Sequence, residues 1–191
     1  MKQKYISKFS DISINDIDKV GGKNASLGEM INNLSTLGIN VPDGFATTSE
    51  AYKLFIESNN IDDKIQKILN ELDLDSIKDL ANAGKAIRRL ILKATIPEEL
   101  EEQIFQAYKN LNKGSELSFA VRSSATAEDL PSASFAGQQE TYLNITGFKN
   151  LLEAMQKVYA SLYTDRAISY RAHQGFENLD VTISVGFQRM V

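Results

Sequence analysis

Two adjacent glycines followed by a lysine form the first group of residues that could carry chemistry. They occupy positions 20–23, Val-Gly-Gly-Lys, directly before a stretch in which apolar residues recur at helical spacing. Glycine lets the backbone approach a ligand closely, a helix N-terminus offers unpaired N–H groups to phosphate, and Lys23 adds a full positive charge. The Walker A pattern GxxxxGK[ST] is absent. The turn is therefore either a phosphate site or a purely structural turn.

An arginine at the end of an apolar, alternating segment is the second such group. Arg122 ends the segment Ser-Phe-Ala-Val-Arg and is followed by small hydroxyl residues, of which Ser123 is the first. A guanidinium presents a rigid fork of N–H donors that matches the oxygens of a phosphate. The residues alone leave two interpretations open, a phosphate ligand and an arginine in a buried ion pair.

A loop of small residues, 131–138, is the third group. Its Gly137 permits close backbone approach, and the side chains of Ser134 and Gln138 can donate to oxygens. Such a loop can cover phosphates and exclude water during transfer, or it can be an ordinary exposed hairpin loop. Further along, Gln188 falls on the polar face of the last alternating segment, where its side chain can face a ligand.

Other kinds of site have little support in the sequence. The absence of cysteine excludes disulfides, thiolate metal sites and cysteine nucleophiles, and a single histidine excludes a histidine-rich metal site. His173 lies in a helical pattern without a neighbouring nucleophile, which favours a surface or helix-end position. Glu128 and Asp129 are either Mg²⁺ ligands or, as we prefer, a solvated acidic pair. We assign no metal ligand.

Composition and charge limit the partners that can be expected. The 191 residues carry a formal net charge of −4, with both signs spread along the chain. Without a basic stripe, neither nucleic acid nor an anionic membrane is an expected partner. No apolar run has the length of a signal peptide or a membrane span. We therefore expect a soluble, cytoplasmic protein.

The pattern of apolar residues predicts the elements that position these groups. Short strands are expected at 3–6, after the turn at Pro42-Asp43-Gly44, at 118–122 and at 141–145. A helix is expected over 24–37, with Gly38 as its C-terminal stop, and further helices over 147–162 and 165–174. The last segment, 181–190, alternates as a strand.

The segment 49–112 is helical throughout in its pattern and is interpreted as an inserted helical subdomain that packs and orients. Thr95 with Glu98 resembles a capping box, with Pro97 in the first helical turn. Three apolar stripes predict its buried faces: Ile61, Ile65, Ile68 and Leu72; Ile77, Leu80, Ala81, Ile87 and Leu90; Leu100, Ile104, Ala107, Tyr108 and Leu111.

Strands and helices mixed in this order predict an α+β fold. Because the sequence stops directly after the strand over 181–190, we expect the domain to be incomplete at its C-terminus, with the partners of that strand downstream.

Four segments resemble the start of the phosphoenolpyruvate synthases (pyruvate, water dikinases): VGGKNASLGEM, VPDGFATTSEAY, FAVRSSATAEDLPSASFAGQQETYLNI and DRAISYRAHQGF. The similarity covers essentially the whole chain, and the run from Phe119 to Ile145 is highly specific. The chain is also similar to rifampin phosphotransferase, and it resembles pyruvate, phosphate dikinase less. The first and last segments favour the synthase.

The resemblance implies the N-terminal part of an ATP-grasp-type nucleotide-binding domain spanning 1–191. In this family ATP, with Mg²⁺, is converted to AMP as pyruvate and water give phosphoenolpyruvate and phosphate through a phosphohistidine. The phosphohistidine domain and the pyruvate barrel are absent from the chain, so we expect it to be inactive alone. A gluconeogenic, homodimeric parent enzyme is implied, and a truncated non-enzymatic nucleotide-binding module is the alternative.

The resemblance also implies roles for particular residues. Lys23 and Arg122 would contact the ATP phosphates, Gly137 would meet ATP through its backbone, and Thr141 and Gln188 would add contacts from the strands that carry them. Supporting roles in the phosphate loop fall to Ser123, Ser134 and Gln138. The residues that hold Mg²⁺ are expected beyond position 191.

Overall fold

A computed structural model describes residues 4–115, 117–125, 140–173 and 182–190. Its strands form one sheet in the order β1-β2-β5-β3-β4, and every neighbouring pair is antiparallel. This confirms the α+β class. The strands are β1 (Ile6–Lys8), β2 (Gly44–Thr47), β3 (Ser118–Ala125), β4 (Thr141–Thr146) and β5 (Ile183–Arg189).

Strand β5 lies inside the sheet and is paired along both edges. Phe45 of β2 is opposite Phe187, and Arg122 of β3 is opposite Gly186. The expectation that the partners of this strand lie downstream is therefore wrong, since both partners precede it in the chain. The alternation predicted for this segment is confirmed over the described residues: Ile183, Val185 and Phe187 share one face and are fully buried.

Alternation along β3 and β5 gives the sheet two chemically different faces. One face carries apolar side chains that pack into the main hydrophobic core, and we call it the core face: Phe119 and Val121 of β3 with Ile183, Val185 and Phe187 of β5. The other face, which we call the Arg122 face, carries Arg122 and Ser124 of β3 with Ser184, Gly186 and Gln188 of β5.

Helices cover both faces. In the described segments they are α1 (Ile17–Leu34), α2 (Ser49–Ser58), α3 (Asp62–Asn70), α4 (Ile77–Lys93), α5 (Glu98–Asn112), α6 (Phe148–Ser161) and α7 (Asp165–His173). Helices α2, α5 and α6 pack on the strands, and α4 packs on α6 and α7. Helix α1 lies on the Arg122 face, where Val20, Leu27 and Ile31 form a second buried cluster with Ala46. None of these helices is long and apolar enough to cross a membrane.

The helices of segment 49–112 form because their apolar stripes have a common place to be buried. Ile65, Ile87 and Ile104 are each fully buried in the same cluster as the core face of the sheet. The helical pattern over this segment is thus confirmed. The limits of a helical subdomain, 49–112, stay a prediction.

Two details predicted for this segment are wrong. Ile77 is 86% exposed, because it is the first residue of α4 and the stripe that this helix buries runs through Ala83, Ile87 and Ile91. Thr95 and Glu98 form no capping box: α5 begins at Glu98 without a side-chain cap, and Pro97 precedes the first turn.

Elements nearer the glycine turn also differ from the prediction. The first strand is Ile6–Lys8, a few residues later than expected, and α1 begins at Ile17, before the glycines. The predicted glycine turn is present, but it is a break at Gly21 inside that helix and not a turn before it. The predicted stop at Gly38 is confirmed, since Gly38 takes a left-handed conformation (φ 77°) after a short 3₁₀ turn.

Candidate functional site

Arg122, Thr141 and Gln188 meet on the Arg122 face, at the junction of β4, β3 and β5. Thr141 is directly opposite Arg122 in the β3–β4 pair, so their side chains project to the same side. The Arg122 guanidinium donates from Nη2 to Oε1 of Gln188 on the adjacent strand. Three residues from distant parts of the sequence are thereby brought together by the strand register.

One N–H donor of the Arg122 guanidinium is bonded to Gln188, and another has no hydrogen-bond partner among the described residues. Gln188 is only 8% exposed, and its Nε2 donates to the carbonyl oxygen of Pro42 at 3.1 Å, which fixes its amide. Nε of Arg122 is buried and has no hydrogen-bond partner among the described residues. A buried N–H donor of this kind is costly unless it is satisfied, so the site fits an anion supplied from outside.

A β-bulge in β4 shapes the edge of this site. Between Phe119 and Val121 of β3 the register to β4 shifts, and Asn144 takes a positive φ of 56°. The extra residue lets both Tyr142 and Ile145 pack toward the core although they are three positions apart. Leu143, between them, is consequently exposed beside Thr141.

The glycine turn lies against the same face. Gly21 has φ 75° and ψ 161°, a conformation that breaks α1 into two parts and that essentially only glycine adopts. A Cβ at Gly21 would lie 2.3 Å from Oγ of Ser124 and 2.5 Å from its carbonyl oxygen. The turn therefore touches β3 so closely that no side chain fits between them.

Lys23 follows this break and is exposed. The next residue, Asn24, donates from its backbone N–H to Oγ of Ser124 at 3.2 Å. Ser124 and Arg122 are two positions apart on one face of β3, which corresponds to roughly 7 Å along the strand. The structure thus places the start of the second part of α1, with its lysine, beside the strand that carries the arginine.

Other predicted residues are placed apart or are not described. Ser123 alternates onto the core face and is 2% exposed, so its side chain is separated from Arg122 by the sheet. Gly137, Ser134 and Gln138 lie outside the described residues, as do Glu128 and Asp129. His173 is the exposed last residue of α7, with Nδ1 2.7 Å from the carbonyl oxygen of Ser169, in agreement with the helix-end prediction.

Two residues of the site were missed by sequence reasoning. Ser124 faces the glycine turn in place of Ser123, and strand alternation relative to Arg122 is the signal that would have separated the two serines. Asn24 is 1% exposed between α1 and the sheet. Its partners are more than a hundred positions away, so spacing in the sequence gives no signal for it.

The described residues do not fit a complete metal site. Within the described ranges no group of three or more histidine, cysteine, aspartate or glutamate side chains could hold a metal ion. The donors near Arg122 are instead cationic or amide groups, a set that suits phosphate oxygens rather than a divalent cation.

Comparison with known proteins agrees with this geometry. A family model described as the AMP/ATP-binding domain of pyruvate phosphate dikinase matches residues 17–191. Phosphoenolpyruvate synthases of Neisseria meningitidis and Escherichia coli are each 52% identical, over 100% and 96% of this chain. The one from Aquifex aeolicus is 53% identical over 96% of the chain.

The chain spans about a quarter of the length of these relatives, 24% of the Neisseria protein and 22% of the Aquifex protein. The resemblance to phosphoenolpyruvate synthases that the motifs predicted is thereby confirmed. With the family model matching nearly the whole sequence, this chain belongs to the pyruvate phosphate dikinase AMP/ATP-binding domain family.

Proposed function

We propose that this chain forms part of the ATP site of a phosphoenolpyruvate synthase. The observation that carries the proposal is the Arg122 guanidinium, which has a free, buried Nε among the described residues and lies beside Thr141 and Gln188. A cation with an unsatisfied donor on a polar strand face suits the oxygens of a triphosphate. The family membership and the names of the relatives support the nucleotide as ATP.

Each residue has a role in this proposal. Lys23 and Arg122 neutralise phosphate charge, and Thr141 and Gln188 supply polar contacts from their strands. Gly137, Ser134 and Gln138 close the phosphate loop. Since the Ser123 side chain lies on the core face, its support is confined to the backbone of β3, and the hydroxyl that holds the glycine turn is that of Ser124.

The parent reaction extends beyond this chain. We propose that the complete protein converts ATP, pyruvate and water to AMP, phosphoenolpyruvate and phosphate through a phosphohistidine, in an ATP-grasp-type domain, a phosphohistidine domain and a barrel. Relatives about four times longer than this chain support the additional domains. Mg²⁺ would assist the transfer of phosphate, held by residues beyond position 191. We further propose a cytoplasmic, homodimeric, gluconeogenic enzyme.

Rifampin phosphotransferase is the less favoured alternative. The relatives that are 52% to 53% identical over nearly the whole chain carry the name phosphoenolpyruvate synthase. Incubating the complete protein and ATP with either pyruvate or rifampin separates the two activities, and we expect product only from pyruvate.

Titration calorimetry of this chain with Mg·ATP tests the proposed site. We expect saturable binding and a loss of affinity of at least about tenfold for Arg122→Ala, since charge-assisted hydrogen bonds to phosphate are removed. Arg189→Ala is the matched control, because Arg189 is an exposed arginine on the adjacent strand, one position from Gln188 and therefore on the opposite face.

Equal losses for the two arginine variants would contradict the assignment of Arg122, and absence of binding by a chain shown to be folded would contradict a working site in this part.

A second assay tests whether the overall reaction needs the rest of the protein. Phosphoenolpyruvate is expected from the complete protein and not from these 191 residues, so its formation by the chain alone would refute that part of the proposal.

A further inference from the structure

The break at Gly21 interrupts the helical hydrogen bonds that span it, and one of these bonds is replaced by a side chain. In an unbroken helix the N–H of Asn24 would donate to the carbonyl oxygen of Val20, four positions earlier. The dihedral angles of Gly21, φ 75° and ψ 161°, are incompatible with that bond because Gly21 lies between the two groups. Both groups are buried, so each needs another partner.

Asn24 satisfies both groups. Its backbone N–H donates to Oγ of Ser124 on β3 at 3.2 Å, and its side-chain Nδ2 donates to the Val20 carbonyl oxygen at 3.0 Å. The side chain therefore takes over the acceptor that the break would leave unpaired. The two parts of α1 are joined across the glycine turn by a side chain instead of by the backbone.

The same side chain fastens the turn to the centre of the sheet. Nδ2 also donates to Oγ of Ser184 at 2.9 Å, and that hydroxyl donates to the carbonyl oxygen of Thr47 at 2.5 Å. A Cβ at Gly186 would lie 2.3 Å from Oδ1 of Asn24, so the amide occupies space that only glycine leaves open. Asn24 is thus connected to β2, β3 and β5 together.

We propose that Asn24 is a positioning residue, which holds the Gly21-Gly22-Lys23 turn at a fixed place relative to Arg122. The inference rests on the proposed function, in which Lys23 and Arg122 bind one triphosphate. Arg122 is fixed by its own strand, whereas Lys23 lies in the first turn of the second part of α1, directly after the break, so no preceding helical turn holds it in place. The Asn24 side chain supplies that placement by joining the Val20 carbonyl oxygen to Ser184 of β5, the strand that pairs with β3 beside Arg122.

A positioning role differs from a purely stabilising one in what it changes. Loss of a stabilising hydrogen bond lowers the free energy of unfolding wherever the bond lies. Loss of Asn24 should also loosen the turn within the folded chain and weaken ATP binding, because a mobile cation must be ordered when the ligand binds. Asn24→Ala is the test variant, since it removes both side-chain donors without adding charge.

Asn32→Ala is the matched control. Asn32 is an asparagine of the same helix whose Nδ2 also donates to a backbone carbonyl, that of Ile12 at 3.0 Å, but it lies eight positions beyond Asn24 and away from the turn. Its loss removes one side-chain hydrogen bond to the backbone, at a more exposed position, without touching the connection across Gly21.

Amide hydrogen exchange of the unliganded, folded chain is the first measurement. We expect the amides of Gly22 and Lys23 to exchange at least about tenfold faster in Asn24→Ala than in the wild type, while those of Leu27 and Ile31 change less. In Asn32→Ala the amides of Gly22 and Lys23 should keep their wild-type rates. Equal exchange at Gly22 and Lys23 in both variants would overturn the proposal.

Titration with Mg·ATP is the second measurement. We expect Asn24→Ala to raise Kd by roughly tenfold, which corresponds to about 1.4 kcal/mol. In a Lys23→Ala background the same change should raise Kd by less than about threefold, because the group that it positions is already absent. Full additivity of the two substitutions would overturn the proposal. If the folded wild-type chain binds no ATP, the proposed function fails for this chain and hydrogen exchange alone decides the role of Asn24.

Discussion

Arg122 of β3 donates a hydrogen bond to the side-chain oxygen of Gln188 on β5, and the Gln188 amide nitrogen donates in turn to the carbonyl oxygen of Pro42. The glutamine therefore has a fixed orientation, with its acceptor toward the cation. This arrangement holds the guanidinium in one position without neutralising it. A carboxylate at the same place would hold it more strongly but would cancel the charge that phosphate needs.

Gln188→Glu is therefore expected to weaken ATP binding more than Gln188→Met. Glutamate pairs with Arg122 and places a negative charge at the site, whereas methionine removes the hydrogen bond and leaves the arginine cationic. We expect Kd to rise by about tenfold or more for glutamate and by a smaller factor for methionine, measured by calorimetry with Mg·ATP. The reverse order of affinities would mean that the hydrogen bonds of the side chain at position 188 matter more for ATP binding than its charge.

Gly21→Ala is expected to destabilise the chain far more than Gly38→Ala. The two glycines have nearly equal φ, 75° and 77°, but a Cβ at Gly21 would collide with Ser124, and a Cβ at Gly38 would meet nothing within 4 Å. We expect a loss of about 3 kcal/mol or more at Gly21, from strain plus overpacking, and about 1 kcal/mol at Gly38. Urea denaturation measures both losses. Similar values would show that Ser124 can shift away from the added Cβ at little cost in free energy.

The fold was predictable where local pattern and burial agree. The stripe through Leu100, Ile104 and Ala107 predicted a helix with one buried face, and α5 buries those three residues. Prediction failed where a position depends on neighbours that are distant in sequence. Ile77 continued an apolar spacing but sits at the exposed start of α4, and the partners of β5 could not be known without the strand order.

The residue types of the site could be predicted from the sequence, but the contacts between their side chains could not. Arg122 and Gln188 were chosen for their chemistry, and their contact arises from the register between β3 and β5, which no local pattern encodes. Ser123 was chosen by proximity to Arg122 in the sequence, although side chains one position apart on a strand project to opposite faces. Asn24 was not chosen at all, because its role depends on a break in a helix that was predicted to start only there.

Asn59→Ala is expected to destabilise the chain, and Thr95→Ala is not. The Asn59 side chain accepts from the Thr95 N–H at 2.9 Å and donates to the Thr95 carbonyl oxygen at 2.8 Å, while the Thr95 side chain caps nothing. We expect a loss of about 1–2 kcal/mol for Asn59→Ala and less than about 0.5 kcal/mol for Thr95→Ala. Both losses are read from denaturation midpoints at constant slope. A larger loss of unfolding free energy for Thr95→Ala than for Asn59→Ala would mean that Thr95 does cap α5.

Alkaline pH should destabilise the chain through a buried group of tyrosines. The hydroxyls of Tyr52 and Tyr163 lie 3.2 Å apart, and burial raises the pKa of each tyrosine above its ordinary value near 10. The nearby Arg171 opposes the rise in both cases without cancelling it. Because the folded state keeps these protons longer than the unfolded state, the stability they contribute is full below about pH 10 and is lost as pH rises further.

Above that pH the free energy of unfolding should fall by up to about 1.4 kcal/mol per pH unit for each such tyrosine. Tyr52→Phe removes one of the groups, so its free energy of unfolding should fall less steeply between pH 9 and 11 in urea denaturation. Phe55→Leu is the control, since Phe55 is buried in the same core cluster and has no ionisable group. It should lower stability at every pH and keep the wild-type slope. A wild-type slope in Tyr52→Phe would show that the hydroxyl pair is hydrated in solution and titrates with an ordinary pKa.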